Sequence, residues 1–350
     1  MERGRDIAGL EAHSSSQRGD EVKEVRWGIL GPGSIARTFA EAVKRVPGCS
    51  LSAVGSRSFE RAADFASKHD VERPHGSYLE LVNDPDVDAV YVATPHAFHC
   101  EHAILALRAG KAVLCEKPLA LNARQAEAMA RASREEGLFL MEAMWTRFLP
   151  AVKWVGERVR AGDWGEVKFV YADFGFRSSF DPASRLYDLR LGGGALLDVG
   201  VYPVSFATML LGEPESVSSA AELGLSGVDE SSSYLLAYAN GAQALLSSSI
   251  IVATPQEARI VCERGWLRLK APFFRSTSVE VHSGGEVEMH DFAIPGNGFE
   301  FQIEEAAARI RAGAVESSMM PHQESVAVLR TLDRIREPWG LKYPGDEASE

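Results

Sequence analysis

The chain has 350 residues, 45% hydrophobic and 25% charged, which is enough apolar material for a sizeable core and enough length for two domains. Its formal net charge of −12 offers no field to hold a nucleic acid or an anionic membrane surface. Cys49, Cys100, Cys115 and Cys262 are scattered with no C-x-x-C pair, a usage that fits a reduced, cytoplasmic protein better than a disulfide scaffold.

Residues 1–24 are polar, lack the apolar segment of a signal peptide and read as a disordered extension, and residues 345–350 read as a short tail. No apolar run approaches the ~20 residues that span a bilayer. Pattern begins at Val25–Phe39, which reads as an apolar strand, a glycine turn and a helix. Gly31, Gly33 and Ala36 fit a dinucleotide-binding turn: the first glycine allows a tight bend, the second a close backbone approach to a pyrophosphate. The helix start at Ser34 and Ile35 offers N–H groups to that anion.

The next strand, Leu51–Gly55, ends in Ser56-Arg57-Ser58. An NAD enzyme places a carboxylate at this tip to bind the ribose 2′-hydroxyl. A guanidinium flanked by hydroxyls suits a 2′-phosphate instead, so NADP is expected over NAD. Helices are expected at Arg61–Lys68 and Tyr78–Leu81. The apolar strand Asp88–Ala93, buried on both faces of a parallel sheet, leads into Thr94-Pro95-His96-Ala97-Phe98-His99 at the carboxyl edge where such sheets bind ligands. The spacing of His96, His99 and His102 suits no metal set, and the histidines read as loop and cap residues, one or two of them touching cofactor.

After a helix over Glu101–Ala109, the strand Ala112–Cys115 delivers Glu116-Lys117-Pro118 to the same edge. A lysine there can hydrogen-bond a substrate hydroxyl, and a cationic ring beside it would favour its neutral, basic form. Asn122 caps a helix to Gly137 with Gln125 in the capping-box position, and a strand over Leu138–Glu142 follows. Residues 25–148 thus read as a doubly wound Rossmann domain.

Residues 149–344 read as a second, α+β domain. A helix over Val152–Ala161 precedes the half-buried strand Gly165–Phe176. Gly192-Gly193-Gly194 opens an apolar helix over Ala195–Leu211, on which Asp198 and Tyr202 lie four apart and share a face. Such a pair either anchors the helix or orients a substrate hydroxyl and handles its proton. From Ser216 to Asp291 strand signals follow at Tyr234–Ala239, Ala242–Val252, Ala258–Cys262, Trp266–Lys270, Ser278–His282 and Glu286–His290, with hairpin turns at Asn240-Gly241 and Gly284-Gly285. This predicts a large, mostly antiparallel open sheet whose outer face a partner subunit could cover. Helices close the chain at Glu300–Ala312 and His322–Arg336.

Taken together and in order, Gly31-Pro32-Gly33-Ser34-Ile35-Ala36, Thr94-Pro95-His96-x-x-His99, Glu116-Lys117-Pro118 and Asp198-Val199-Gly200-Val201-Tyr202-Pro203 resemble the Gfo/Idh/MocA oxidoreductase family. The resemblance implies a Rossmann domain followed by a domain with an open sheet that often forms a dimer contact. It implies Lys117 as a catalytic residue, often preceding a cis proline. Tyr202 stands where many sugar and inositol dehydrogenases of the family carry histidine. With the run Glu142–Phe148, this resembles the subgroup of dihydrodiol dehydrogenases and NADP-dependent D-xylose dehydrogenases and argues against an inositol. Resemblance also implies Trp145, Arg147, Phe174 and Phe299 around the cofactor and substrate.

The resulting expectation is an NADP-dependent hydride transfer at a hydroxyl-bearing carbon of an aldose or vicinal diol, with Lys117, Tyr202 and Asp198 at the reacting oxygen. The glycine turn, Ser56, Arg57, Thr94, Pro95, His96, His99, Glu116, Lys117, Trp145 and Arg147 are expected at the cofactor, with no metal. The partners expected are a small-molecule substrate and a second copy of the chain, with no nucleic acid or membrane. Two alternatives stand beside it: an NAD-dependent cyclitol or amino-sugar dehydrogenase, and a non-catalytic NADP-binding regulator.

Overall fold

A computed structural model describes residues 23–346; the expected N-terminal extension, apart from Lys23 and Glu24, and the last four residues of the expected tail lie outside the described residues. The first layer is built from β1 (Val25–Leu30), α1 (Ser34–Val43), β2 (Cys49–Gly55), α2 (Phe59–His69), β3 (Arg73–His75), α3 (Tyr78–Val82), β4 (Ala89–Val92), α4 (His99–Arg108), β5 (Ala112–Glu116), α5 (Ala123–Glu136) and β6 (Leu140–Ala143). Its strands form a six-stranded sheet in the order β3-β2-β1-β4-β5-β6, and every pairing is parallel. The order reverses between β1 and β4, which opens a crevice at their carboxyl ends.

Burial on both faces explains why β4 and β5 read as unbroken apolar runs: every residue of each is buried. Beneath the glycine turn, Phe39 of α1 stacks on Tyr91 at 3.9 Å and meets Trp27 edge-on at 5.4 Å, which fixes the helix against the sheet. Asn122 caps α5 by accepting from the Gln125 N–H at 2.9 Å, as its spacing predicts.

Beyond α6 (Pro150–Ala161) the chain enters β7 (Val167–Gly175), a long loop, and the helical segment made of a π turn (Leu196–Gly200) and α7 (Val201–Leu211). There follow β8 (Ser216–Leu223), β9 (Asp229–Ala237), β10 (Gln243–Ser249), β11 (Ala258–Cys262), β12 (Gly265–Leu269), β13 (Ser278–Ser283) and β14 (Glu286–Asp291), then α8 (Glu300–Arg311) and α9 (His322–Arg336). The second sheet has eight strands in the order β14-β13-β12-β11-β7-β10-β9-β8, antiparallel except for the β7–β10 pair. Helices α7 and α9 pack on its inner face.

Several details depart from the sequence reading. Strand β3 pairs through three residues at a sheet edge and contains Pro74, so it leaves no periodic trace. Strand β8, largely exposed at the other sheet's edge, carries too little apolar alternation to stand out, and β9 begins at Asp229 among serines. The Asn240-Gly241 turn is longer than two residues, since the Tyr238 N–H reaches the Ala242 carbonyl at 3.0 Å, whereas Gly284 and Gly285 form a two-residue turn with φ of 62° and 85°. Finally, Leu189–Leu211 is long and apolar enough to cross a membrane by length and composition, contrary to the reading above, but most of that stretch is buried within the protein and it serves as a core element.

The π turn is the departure that touches function. Pro203 has no N–H and its ring would press on the Val199 carbonyl in a regular α-helix. The widened turn immediately before it accommodates that clash and contains Asp198.

Candidate active site

A cavity of ≈ 620 Å³ runs along the carboxyl edge of the first sheet and is closed on one side by the π turn and α7. At one end lies the glycine turn. Gly31 has φ +98°, and a Cβ there would stand 2.9 Å from Thr94 Cγ2 and 3.2 Å from the Ala93 backbone, so only glycine fits. A Cβ on Gly33 would meet its nearest neighbour at 4.0 Å, which leaves space above the turn. Helices α2, α3 and α5 are capped by Ser58, Ser77 and Asn122, but α1 has no side-chain cap and no acid in its first turn. Its N-terminal N–H groups, at Ser34 and Ile35, therefore face the cavity as anion donors.

Ser56, Arg57, Ser58, Arg61 and Tyr78 line the same end. Among the described residues, neither Arg57 nor Arg61 is paired with a carboxylate within 4.0 Å. Glu60 is tied to the Ser58 hydroxyl at 2.6 Å and does not line the cavity. An uncapped helix start, room over Gly33 and two uncommitted guanidinium groups fit a dinucleotide that carries a 2′-phosphate.

The strand-tip histidines have structural work. His99 places Nδ1 2.8 Å from the Pro118 carbonyl and Nε2 2.8 Å from the Thr94 carbonyl, and so ties the tips of β4 and β5 together. His96 lies 3.0 Å from the Gly192 carbonyl through Nδ1, with Nε2 3.8 Å from Asp198 Oδ1. His102 bonds the Thr94 hydroxyl at 3.0 Å between Phe98 and Tyr78. Burial pushes His99 and His102 down to about 4 and His96 well below its ordinary value, with the Pro118 and Thr94 carbonyls opposing the shift at His99. His96 and His99 line the cavity, but both ring nitrogens of His99 already face backbone. Among the described residues no group of three or more metal-ligating side chains assembles.

At the other end, β5 delivers Glu116 and Lys117, followed by a cis Lys117–Pro118 bond. Glu142 on β6 accepts from the Leu119 N–H at 3.0 Å and holds the chain just past that bond. Glu116 does not lie at the surface. It is buried, it accepts from the Tyr91 hydroxyl, and burial raises its carboxyl above the usual range.

Lys117 Nζ donates to the Asp198 carbonyl at 2.6 Å and stands 3.6 Å from Asp198 Oδ1 and 5.0 Å from the centre of the Tyr202 ring. Arg185, from the loop before the glycine triplet, donates to the same Asp198 Oδ1 at 3.0 Å. Burial alone would raise the Asp198 carboxyl, but Lys117, Arg185 and His96 together hold it well below the usual carboxylate range. Burial works against the Lys117 ammonium, yet Tyr202, Asp198 and Glu116 outweigh it and raise the lysine above its ordinary value. The protein's own groups thus favour the cationic form, and the cationic ring expected beside the lysine would act against them. Burial likewise raises the Tyr202 phenol, which stays protonated.

The aromatic expectations divide. Phe174 lines the cavity and packs against Tyr202 at 5.2 Å. Trp145 does not line it; its Nε1 donates to the Tyr202 hydroxyl at 3.1 Å, and Phe299 backs Trp145 at 5.2 Å. Arg147 is a clearer correction. Its buried guanidinium bonds the Met319 carbonyl at 3.1 Å, the Ser205 carbonyl at 3.2 Å and the Glu324 carboxylate, pinning α7 to α9 away from the cavity. Sequence reasoning missed Arg61, Tyr78, Phe176 and Arg185 as lining residues. Arg185 sits in an irregular loop with no motif, and only its contact with Asp198 reveals it.

Comparison with known proteins follows the same division of the chain. The Gfo/Idh/MocA model described as an oxidoreductase family with an NAD-binding Rossmann fold matches residues 25–144, and the Gfo/Idh/MocA C-terminal domain matches residues 152–268. Trans-1,2-dihydrobenzene-1,2-diol dehydrogenase of Xenopus tropicalis is 35% identical over 333 residues, covering 91% of this chain and 99% of the relative. The Homo sapiens protein of that name is 34% identical, covering 92% and 99%. Among solved structures, a 3-ketoreductase from Actinomadura kijaniata in complex with NADP and TDP-benzene has a TM-score of 0.82 at 28% identity, covering 90% of this chain and 98% of that one. An aldose–aldose oxidoreductase from Caulobacter crescentus, complexed with glycerol, has a TM-score of 0.82 at 27% identity over the same shares. Both layers of the molecule are thus matched in order, and the chain belongs to the Gfo/Idh/MocA oxidoreductase family.

Proposed function

We propose that the protein is an NADP-dependent dehydrogenase acting on a hydroxyl-bearing carbon of an aldose or vicinal diol. The observation that carries this reading is the convergence of Lys117, Asp198 and Tyr202 at one end of a cavity whose other end holds the glycine turn and Arg57. The dihydrodiol dehydrogenases and the aldose–aldose oxidoreductase among its relatives support the substrate class, and the NADP in the ketoreductase complex supports the cofactor. The nicotinamide, when bound, supplies the two-electron chemistry by exchanging a hydride with the substrate carbon.

The side chains then have distinct tasks. The α1 N–H groups hold the pyrophosphate, and Ser56 and Arg57 hold the 2′-phosphate. Lys117 and the Tyr202 hydroxyl bond the reacting oxygen, and Asp198 orients them by fixing the ammonium. Lys117 and Asp198 side chains are 13% and 8% exposed, so water is largely excluded and their charges act at low dielectric. For carbonyl reduction the cationic lysine and the neutral phenol both have a proton to give. For alcohol oxidation one of them must first be unloaded. Trp145 holds the Tyr202 hydroxyl in place.

We also propose a homodimer through the outer face of the second sheet. Leu235, Leu245, Tyr171, Arg259, Arg268, Glu280 and Met289 form one cross-strand row there. Leu235, Leu245, Tyr171 and Met289 in that row are 39–45% exposed, an apolar strip beside opposite charges that can pair with a rotated copy of itself.

Replacing Lys117 by Met is expected to lower kcat by ~10²–10⁴-fold while NADPH still quenches tryptophan fluorescence with unchanged affinity; wild-type turnover would refute the assignment. Because Lys117 and Tyr202 both titrate above their ordinary values, reduction is expected to stay level from about pH 6 to 9 and to fall only beyond, while oxidation rises with pH. A reduction rate that drops through neutrality would remove both as proton donors. Arg57→Ser is expected to weaken NADPH by about 10–100-fold and leave NADH nearly unaffected, since a charged hydrogen bond is worth ~1.5–3 kcal/mol; equal losses for both would count against its role at the 2′-phosphate. Sedimentation velocity should give the mass of two chains for wild type and of one for Tyr171→Asp, and a monomeric wild type would dismiss the interface.

A further inference from the structure

Asp198 carries more cation than one carboxylate needs. Lys117 already bonds its backbone carbonyl and approaches Oδ1 at 3.6 Å, yet Arg185 takes the same oxygen at 3.0 Å. Glu116, the other acid of the cavity, is satisfied by the Tyr91 hydroxyl and calls for no guanidinium. An arginine has five N–H donors, and among the described residues Arg185 makes no hydrogen bond besides this one. Its side chain is 53% exposed and lines the cavity beside Phe176.

The backbone beneath it is held firmly. The Gly194 N–H bonds the Leu186 carbonyl at 2.9 Å, and a Cβ on Gly193 would stand 2.7 Å from that carbonyl and 2.9 Å from the Arg185 carbonyl. Leu186 and Tyr187 are buried in a small apolar cluster with Val199 of the π turn. Arg185 is therefore presented from a fixed base, one carboxylate away from the group that would hold the reacting oxygen.

We propose that Arg185 is a specificity-determining residue: with Asp198 it binds the oxygen on the carbon next to the reacting one, so the site selects vicinal diols and 2-hydroxy aldoses over isolated alcohols and 2-deoxy analogues. Asp198 accepts from that neighbouring hydroxyl while a free N–H of Arg185 donates to it, which satisfies both lone pair and proton. The inference rests on the sugar or diol dehydrogenase reading above.

The test measures kcat/KM with NADP⁺ for matched pairs, D-glucose against 2-deoxy-D-glucose and trans-cyclohexane-1,2-diol against cyclohexanol. Wild type should favour the hydroxylated member, and Arg185→Met should cut that preference by about 10–100-fold, the range for one hydrogen bond to a charged group. The loss should appear mainly in KM, and Arg185→Lys, which keeps the charge and the Asp198 partner, should restore part of it. Circular dichroism and NADPH affinity check that each variant folds. If Arg185→Met slows both members equally and leaves the ratio intact, Arg185 only holds Asp198 and the proposal fails. If wild-type protein binds NADPH yet oxidises neither member of either pair, the dehydrogenase reading itself fails and this inference falls with it.

Discussion

The buried carboxylate of Asp198 is the interaction on which the site depends. Within 4 Å of Oδ1 stand Lys117 from the tip of β5, His96 from the tip of β4 and Arg185 from the loop after β7. A carboxylate taken out of water is costly unless its charge is met, and here the Lys117 and Arg185 cations keep it ionised despite burial. Meeting that charge draws the strand tips of one sheet onto the helix that packs on the other. The cavity between them follows from this requirement.

Supporting contacts converge on the same place from behind. His99 joins the tips that present Thr94 and Lys117, Glu142 secures the chain after Pro118, and Trp145 anchors the Tyr202 hydroxyl. Deeper still, Asp229 on β9 accepts from the Leu196 N–H at 2.8 Å at the start of the π turn, and burial pushes its carboxyl up to about 7. Arg147 holds the far side of α7 to α9. The reactive groups thus sit on rigid elements whose own rotamers are constrained, the arrangement that chemistry at low dielectric needs.

Basic groups along the cavity fall into two kinds. Arg57 and Arg61 line one end with no carboxylate partner among the described residues, while Lys117 and Arg185 are committed to Asp198 at the other. The first pair offers affinity for a nucleotide. The second offers geometry, because a cation already paired to a carboxylate bonds a neutral hydroxyl without inviting a free anion.

Local rules determined much of this protein from its sequence. The glycine turn, the capped helix at Asn122, the doubly buried strands β4 and β5 and the polar strand tips follow from backbone sterics, capping and periodicity, which act over a few residues. Lys117, Asp198 and Tyr202 were readable because they sit in such local patterns. What only tertiary structure decided involves groups far apart in the chain. Arg185 has no motif and gains meaning from a carboxylate thirteen positions on. Arg147 looks like a pocket residue by its neighbours but is claimed by carbonyls and a carboxylate more than fifty positions away. The edge strands β3 and β8 lack periodicity because edges bury little. The charge of Lys117 also depends on packing, since no local pattern says whether a buried ammonium meets a carboxylate or an apolar wall. Periodicity reports what a residue's own segment buries; it carries no record of which distant charge will share that burial.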